Sequence, residues 1–192
     1  MRNIAVIDLV QLKKNALNVK EKLSKGVKFC AVVKANAYGH GAVEVASALY
    51  NIVDSFAVAI VEEGIALRNA GIDKEILVLI PTMKKDLENA VRYNLSVTVD
   101  SFLGLKQVYK ECLLQKKTVK IHIAFNVGMN RFGFDNLEEL EKALAFLKDK
   151  KQIFLEGFYS HLKCPENLSD LEQSLTKFLV AKKLIKSYNI QQ

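Results

Sequence analysis

An α/β fold built on a parallel sheet is what this sequence predicts, and three observations predict it. Short runs of apolar, often β-branched residues recur at intervals of roughly twenty to thirty residues. The runs read as apolar on both faces, as strands covered on two sides do. Between them lie stretches of helical periodicity with recognisable helix-end residues. Six such strands suit a (β/α)8 barrel of the TIM type carried about six βα units along, with a doubly wound open sheet as the alternative arrangement. A closed barrel takes eight strands and about 250 residues, so 192 residues stop about two units short.

The elements are taken in chain order. Residues 8–23 place Leu9, Leu12, Ala16, Val19 and Leu23 on one helical stripe, which Asp8 can cap. Residues 29–33, Phe-Cys-Ala-Val-Val, form an apolar run of strand length. A helix over 41–50 and a strand over 55–60 come next. The helix over 61–70 ends at Gly71, a residue suited to the left-handed step after a helix. The strand over 76–80 is closed by Pro81, and a helix over 84–93 leads to a strand over 95–99. Asp100 or Ser101 caps a helix that runs to Gln115. The strand over 119–123 precedes a helix over 137–148 opened by Asn136, and a strand over 153–159 comes after it. A last amphipathic helix covers about 169–188.

Half of the residues are hydrophobic, 26% are charged, and no low-complexity tract is present, so one globular domain over 1–192 is expected rather than disorder. Met1-Arg2-Asn3-Ile4 leads directly into polar, helix-like sequence without a secretory apolar segment. No run approaches the roughly 18 apolar residues of a membrane span, so a cytoplasmic protein with no membrane partner is expected. Cys30, Cys112 and Cys164 are scattered and odd in number, which argues against a disulfide framework or a metal site. The net charge of +7 comes largely from helix-face pairs such as Lys13-Lys14, Lys116-Lys117 and Lys182-Lys183. Without a sustained basic run interleaved with aromatics, these read as solvated faces, and no nucleic acid partner is expected.

The segment 31–41, Ala-Val-Val-Lys-Ala-Asn-Ala-Tyr-Gly-His-Gly, carries the chemistry. An apolar strand delivers Lys34 to its carboxyl end, where α/β folds place their active sites. Apolar neighbours strip hydration from the amine, which suits a Schiff-base lysine or a general base. Gly39 and Gly41 then lead into a helix whose free N–H groups can receive an anion, with the Tyr38 hydroxyl beside them. Read from the pattern alone, a lysine that snorkels to solvent is an equal alternative.

The string 33–41 resembles, without interruption, the pyridoxal phosphate attachment signature of alanine racemases. Two further segments resemble the same family in the same order. Residues 128–134, Gly-Met-Asn-Arg-Phe-Gly-Phe, are similar to its Gly-Met-x-Arg-x-Gly segment; residues 157–161, Gly-Phe-Tyr-Ser-His, are similar to its Gly-x-Tyr-Ser/Thr-His strand end. The resemblance implies a pyridoxal 5'-phosphate (PLP) cofactor bound to Lys34, which also exchanges the α-proton on the D-alanine face. It implies that Tyr38 hydrogen-bonds the phosphate, that Arg131 approaches the cofactor's phenolic oxygen and the substrate carboxylate, and that His161 packs on the pyridine ring. His40 belongs to the signature without an assigned chemistry, and His122 inside its strand reads as structural.

The family also implies racemisation of L- and D-alanine for peptidoglycan, a homodimer, and a second catalytic base from the partner's carboxyl-terminal β domain. No counterpart of that domain, of the Ser-rich phosphate loop or of the arginine facing the pyridine nitrogen is found in 1–192. Many members carry Lys-Val-Asp-Thr before Gly-Met, with the lysine carbamylated to orient the arginine. Residues 124–127 are Ala-Phe-Asn-Val, so Arg131 needs another anchor. A non-catalytic PLP-binding protein of the homeostasis type, or an inactive racemase fragment, is the alternative these departures leave open.

Overall fold

The computed structural model describes residues 4–164 and 166–190. They form two compact units, the first ending at Leu79 and the second beginning at Ile80. The expected entry through Met1, Arg2 and Asn3 lies outside the described residues.

The first unit runs α1 (Leu9–Glu21), β1 (Cys30–Val32), α2 (Lys34–Tyr38), α3 (Ala42–Leu49), β2 (Ser55–Val58), α4 (Val61–Asn69) and β3 (Glu75–Val78). Its three strands pair in parallel and in chain order, with Ala31 opposite Phe56 and Phe56 opposite Ile76. Asp8 caps α1 as its sequence position predicts, one carboxylate oxygen accepting from the N–H groups of Val10 and Gln11 at 2.9 Å each. That cap matters because α1 buries only Ala16. The core proper is made by Val33, Phe56, Val58, Leu67 and Ile76, all essentially inaccessible to solvent. Each such side chain stabilises the fold by about 1.5–3 kcal/mol. Gly71 takes φ +84° just after α4, and the N–H of Ile72 closes back onto Leu67 O at 3.1 Å.

The second unit runs α5 (Leu87–Arg92), β4 (Ser96–Val99), α6 (Phe102–Gln115), β5 (Val119–Ala124), α7 (Leu137–Leu147), β6 (Ile153–Tyr159) and α8 (Leu168–Ser187). Its strands are again parallel and sequential, Val97 lying opposite Ile121 and Ile121 opposite Leu155. Helix α5 is shorter than expected, because the N–H of Asp86 closes a turn onto Met83 O and Asp86 supplies no side-chain cap. Ser101 and Asn136 cap α6 and α7, accepting from Gly104 N at 3.1 Å and Glu139 N at 2.8 Å. Between Ile121 and His122 the register with β6 shifts, so that Glu156 is an extra residue and His122 faces Gly157.

The strands of this unit are not apolar on both faces. Val97, Ile121 and Ile123 are fully buried, while the alternate positions carry Ser96, Thr98, Lys120 and His122. Ser96, Thr98 and Lys120 are tolerated there because each meets a polar partner. Lys120 Nζ lies 2.5 Å from Glu156 Oε1, Ser96 donates to Glu156 Oε2 at 3.4 Å, and the hydroxyls of Thr98 and Tyr159 are 2.9 Å apart. Burial raises the Tyr159 phenol above its ordinary range, Thr98 and Arg131 opposing that rise. Among the described residues, no helix is long and apolar enough to cross a membrane.

Candidate cofactor and substrate site

Lys34 opens α2 directly after the buried Val33, and is itself half-buried. The backbone beyond it is unusual: Ala35, Asn36, Ala37 and Tyr38 all have positive φ, from +51° to +54°, so the element is a left-handed turn. The N–H of Ala37 bonds Val33 O at 2.9 Å, and that of Gly39 bonds Ala35 O at 3.2 Å. Left-handed backbone costs about 1–2 kcal/mol for a residue such as alanine or tyrosine and less for asparagine, so Ala35, Ala37 and Tyr38 together demand roughly 3–6 kcal/mol from their surroundings.

The surroundings supply it from three directions. Ala35 N–H donates to Glu63 Oε1 at 2.6 Å, while Glu63 Oε2 accepts from Ala59 N at 2.7 Å and Ile60 N at 3.3 Å. Asn36 Oδ1 accepts from Ala42 N at 2.8 Å, and the Asn36 carbonyl accepts from Gly39 N and Gly41 N at 3.0 Å each. His40 Nδ1 donates to Ala37 O at 2.9 Å, which gives this signature histidine a structural task. Tyr38 is thrown outward, its side chain largely exposed.

The open anion site expected at the start of α3 is not found. Ala42 N–H is already taken by Asn36, and the Glu44 carboxylate fills the space where a Cβ on Gly41 would stand. A carboxylate folded back on the helix start is itself the anion that the dipole favours.

In the second unit, the segment after β5 is organised by Asn126. Its Oδ1 accepts from Gly128 N and Asn130 N, both at 3.0 Å, and its Nδ2 donates to Asn130 Oδ1 at 3.0 Å and Asp135 Oδ1 at 2.7 Å. The loop closes where Phe134 N bonds Ala124 O and Asn126 N bonds Phe134 O, each at 2.9 Å. Gly133 lies so close to this crossing that a Cβ would stand 2.8 Å from Asn126 N. Arg131 rides on the loop, exposed, with its guanidinium 4.8 Å from the Phe132 ring centroid. Among the described residues it makes no hydrogen bond.

A small cleft brings Arg131 together with His161, Tyr159, Ala124 and Met129. Ser160 Oγ donates to Phe125 O at 2.5 Å, tying the end of β6 to the end of β5 just before His161. Ala124 is buried, so the position of the family's modified lysine holds only a methyl group. His122 sits lower in β5, edge-on to the Tyr159 ring at 6.5 Å. The four residues singled out by sequence thus fall into two pairs, Lys34 with Tyr38 in one turn and Arg131 with His161 at one cleft. The first pair offers an amine and a phenol, the second a guanidinium and an imidazole, donors that suit an anionic pyridine aldehyde. Sequence reading missed Glu63, the structural part of Asn36, and Asp135 as the partner of Asn126; their signal is no more than an acid in the first turn of a helix, an amide before a glycine-rich stretch and an acid after one.

Comparison with known proteins gives one consistent result. The family described as "Alanine racemase, N-terminal domain" matches residues 7–192. The alanine racemase of Lactobacillus acidophilus is 38% identical over 182 residues, which cover 93% of this chain and 48% of the relative. That of Listeria monocytogenes is 39% identical over 176 residues, covering 90% of this chain and 46% of the relative. Among solved structures, the alanine racemase of Clostridium difficile in complex with cycloserine matches 98% of this chain and 54% of its own at a TM-score of 0.87 and 28% identity. The Bacillus anthracis enzyme with bound L-Ala-P matches 96% of this chain and 48% of its own at 0.86 and 33%. The chain spans about half the length of the curated relatives it matches. The fold is therefore α/β, of the (β/α)8 type and incomplete.

Proposed function

The chain belongs to the alanine racemase N-terminal domain family, and on that premise we propose that it is the lysine-bearing part of a PLP-dependent racemase that interconverts L- and D-alanine. The observation that supports this most is the left-handed turn after Lys34. A backbone held at that energetic cost around one lysine is expected where the position of an amine matters. The donors fit the cofactor, which when bound supplies an aldehyde for the lysine and an electron sink for the substrate's α-carbon.

The chain's own residues divide the work. Lys34 holds the cofactor and, once released, moves a proton at the α-carbon on the D-alanine face. The Tyr38 hydroxyl donates to the phosphate. Arg131 offers its planar fork to the phenolic oxygen and the substrate carboxylate, a two-directional task for which lysine is unsuited. His161 packs against the pyridine ring. Residues 1–192 act as one domain of a cytoplasmic homodimer that supplies D-alanine for peptidoglycan, its second base coming from the partner.

A second reading, a PLP-binding protein without racemase activity, is favoured by two observations. Ala124 cannot be carbamylated, and among the described residues the Arg131 guanidinium makes no hydrogen bond, lying against the Phe132 ring. A coupled D-alanine assay on the intact gene product separates the two readings. The test of the shared premise is borohydride reduction after loading with PLP, then peptide mapping. The label is expected on Lys34, and Lys34→Ala is expected to lose it by more than about 100-fold, as removal of a sole nucleophile does. Equal labelling of the variant, or a label elsewhere, ends the proposal.

A further inference from the structure

We propose that Glu63 is the positioning residue for Lys34, holding the left-handed turn in the conformation that presents the amine to an aldehyde ligand. This rests on reading Lys34 as the attachment residue.

The direction of the Lys34 side chain is set by the two peptide groups that flank it. The one before it is fixed through its carbonyl, because Val33 O accepts from Ala37 N at 2.9 Å. The one after it is fixed through its N–H, because Ala35 N donates to Glu63 Oε1 at 2.6 Å. With both planes held, the Cα–Cβ bond of Lys34 has one direction. Glu63 itself is anchored, since its other oxygen accepts from Ala59 N at 2.7 Å and Ile60 N at 3.3 Å at the end of β2. It therefore ties the turn to the strand beside β1.

Capping of α4 does not account for this arrangement. The contacts to Ala59 and Ile60 use one oxygen only, and the oxygen turned to Ala35 serves the turn. Three N–H donors converge on the two oxygens, so a neutral amide is a poor substitute. Whichever way it is turned, its NH2 group faces an N–H. The hydrogen bond to Ala35 is charge-assisted and reaches from a helix to a strained segment 28 residues away in sequence.

The test compares the intact chain with Glu63→Gln, Glu63→Ala and the pair Glu63→Gln with Ala35→Gly. Each is loaded with PLP, reduced with borohydride and mapped, and hydrogen–deuterium exchange of the Ala35 amide is monitored in the unloaded proteins. Glu63→Gln is expected to lower the Lys34 label about tenfold or more and to speed Ala35 exchange by a similar factor, the worth of a hydrogen bond to a charged group. Glycine at position 35 adopts positive φ without steric cost, so the pair is expected to regain part of the label. A role confined to capping α4 predicts no such rescue.

Should Glu63→Ala fail to fold, the nearly isosteric Glu63→Gln decides. A Glu63→Gln protein labelled at Lys34 to the parent's extent, or a pair without rescue, overturns the inference while leaving Lys34 as attachment residue. A parent chain that takes no label at Lys34 takes both readings down together.

Discussion

The turn after β1 and the loop after β5 solve the same problem, the placement of one cationic side chain, in opposite ways. In the first, two alanines and a tyrosine join one asparagine in left-handed backbone and are held there by a carboxylate, an amide and an imidazole from outside or along the turn. In the second, the positive φ angles fall on Gly128, Asn130 and Gly133, residues that accept them at little cost, and one amide at Asn126 organises the loop. The result differs accordingly. Both peptide groups around Lys34 are fixed, whereas the loop fixes the backbone near Arg131 and, among the described residues, leaves its guanidinium against a ring without a hydrogen bond. A residue that forms a bond to its ligand needs its direction set in advance. A residue that meets an anion can let the anion complete its geometry.

The comparison breaks most easily at Gly133. An alanine there would push its Cβ to 2.8 Å from Asn126 N and 2.9 Å from Phe125 C, both backbone atoms that cannot swing away. Gly133→Ala is expected to cost about 3 kcal/mol or more in urea unfolding; a loss under about 1 kcal/mol would show that the loop is not closed as described. Next comes Asn126→Asp. It loses the bonds donated to Asn130 and Asp135 and sets two carboxylates against each other, an expected cost of about 2 kcal/mol at neutral pH. Urea unfolding of parent and variant reads the difference, and a loss under about 0.5 kcal/mol refutes the placement of Asp135 beside Asn126.

Tyr159→Phe tests the polar strand face beneath the cleft. At pH near 8 it should cost about 1 kcal/mol, the bond with Thr98. Burial raises the phenol's pKa, so the parent's advantage is full below the ordinary value of about 10 and shrinks as pH rises beyond it. A midpoint difference that widens in alkali has the wrong sign for a buried phenol. The smallest effect is expected from Ala35→Gly in the otherwise unaltered protein. Relief of left-handed strain outweighs the added freedom of the unfolded chain by about 0.5 kcal/mol, so thermal melting should show slight stabilisation. Destabilisation by more than about 1 kcal/mol would mean that the turn is not strained at all.

The regular elements were legible because their patterns are local. Asp8, Ser101 and Asn136 announce their helices within three residues, and the strands announce themselves by runs of Val and Ile. The candidate site residues Lys34, Tyr38, Arg131 and His161 stand out in the sequence because each sits in a short contiguous string. Their supports do not. Glu63 meets Ala35 from 28 residues away, and nothing in Ala-Asn-Ala-Tyr suggests left-handed backbone except the glycines after it. The division after Leu79 has no compositional trace either. The polar face of the second unit was in plain view, since Ser96, Thr98, Lys120 and His122 alternate with Val and Ile, but the weight given to continuous apolar runs hid it.

The extra residue in β6 has a consequence for anyone who edits this strand. Up to Leu155, odd-numbered positions share a side with Ile121; past Glu156, even-numbered Phe158 shares it with Ile123, and Tyr159 turns toward the side of His122 and Ala124. One strand thus carries two parities joined at a single amino acid. Removing Glu156 would straighten the strand while leaving Phe158 opposite Ile123 and Tyr159 opposite Ala124, so the loss would fall on Lys120 and Ser96, which share its carboxylate.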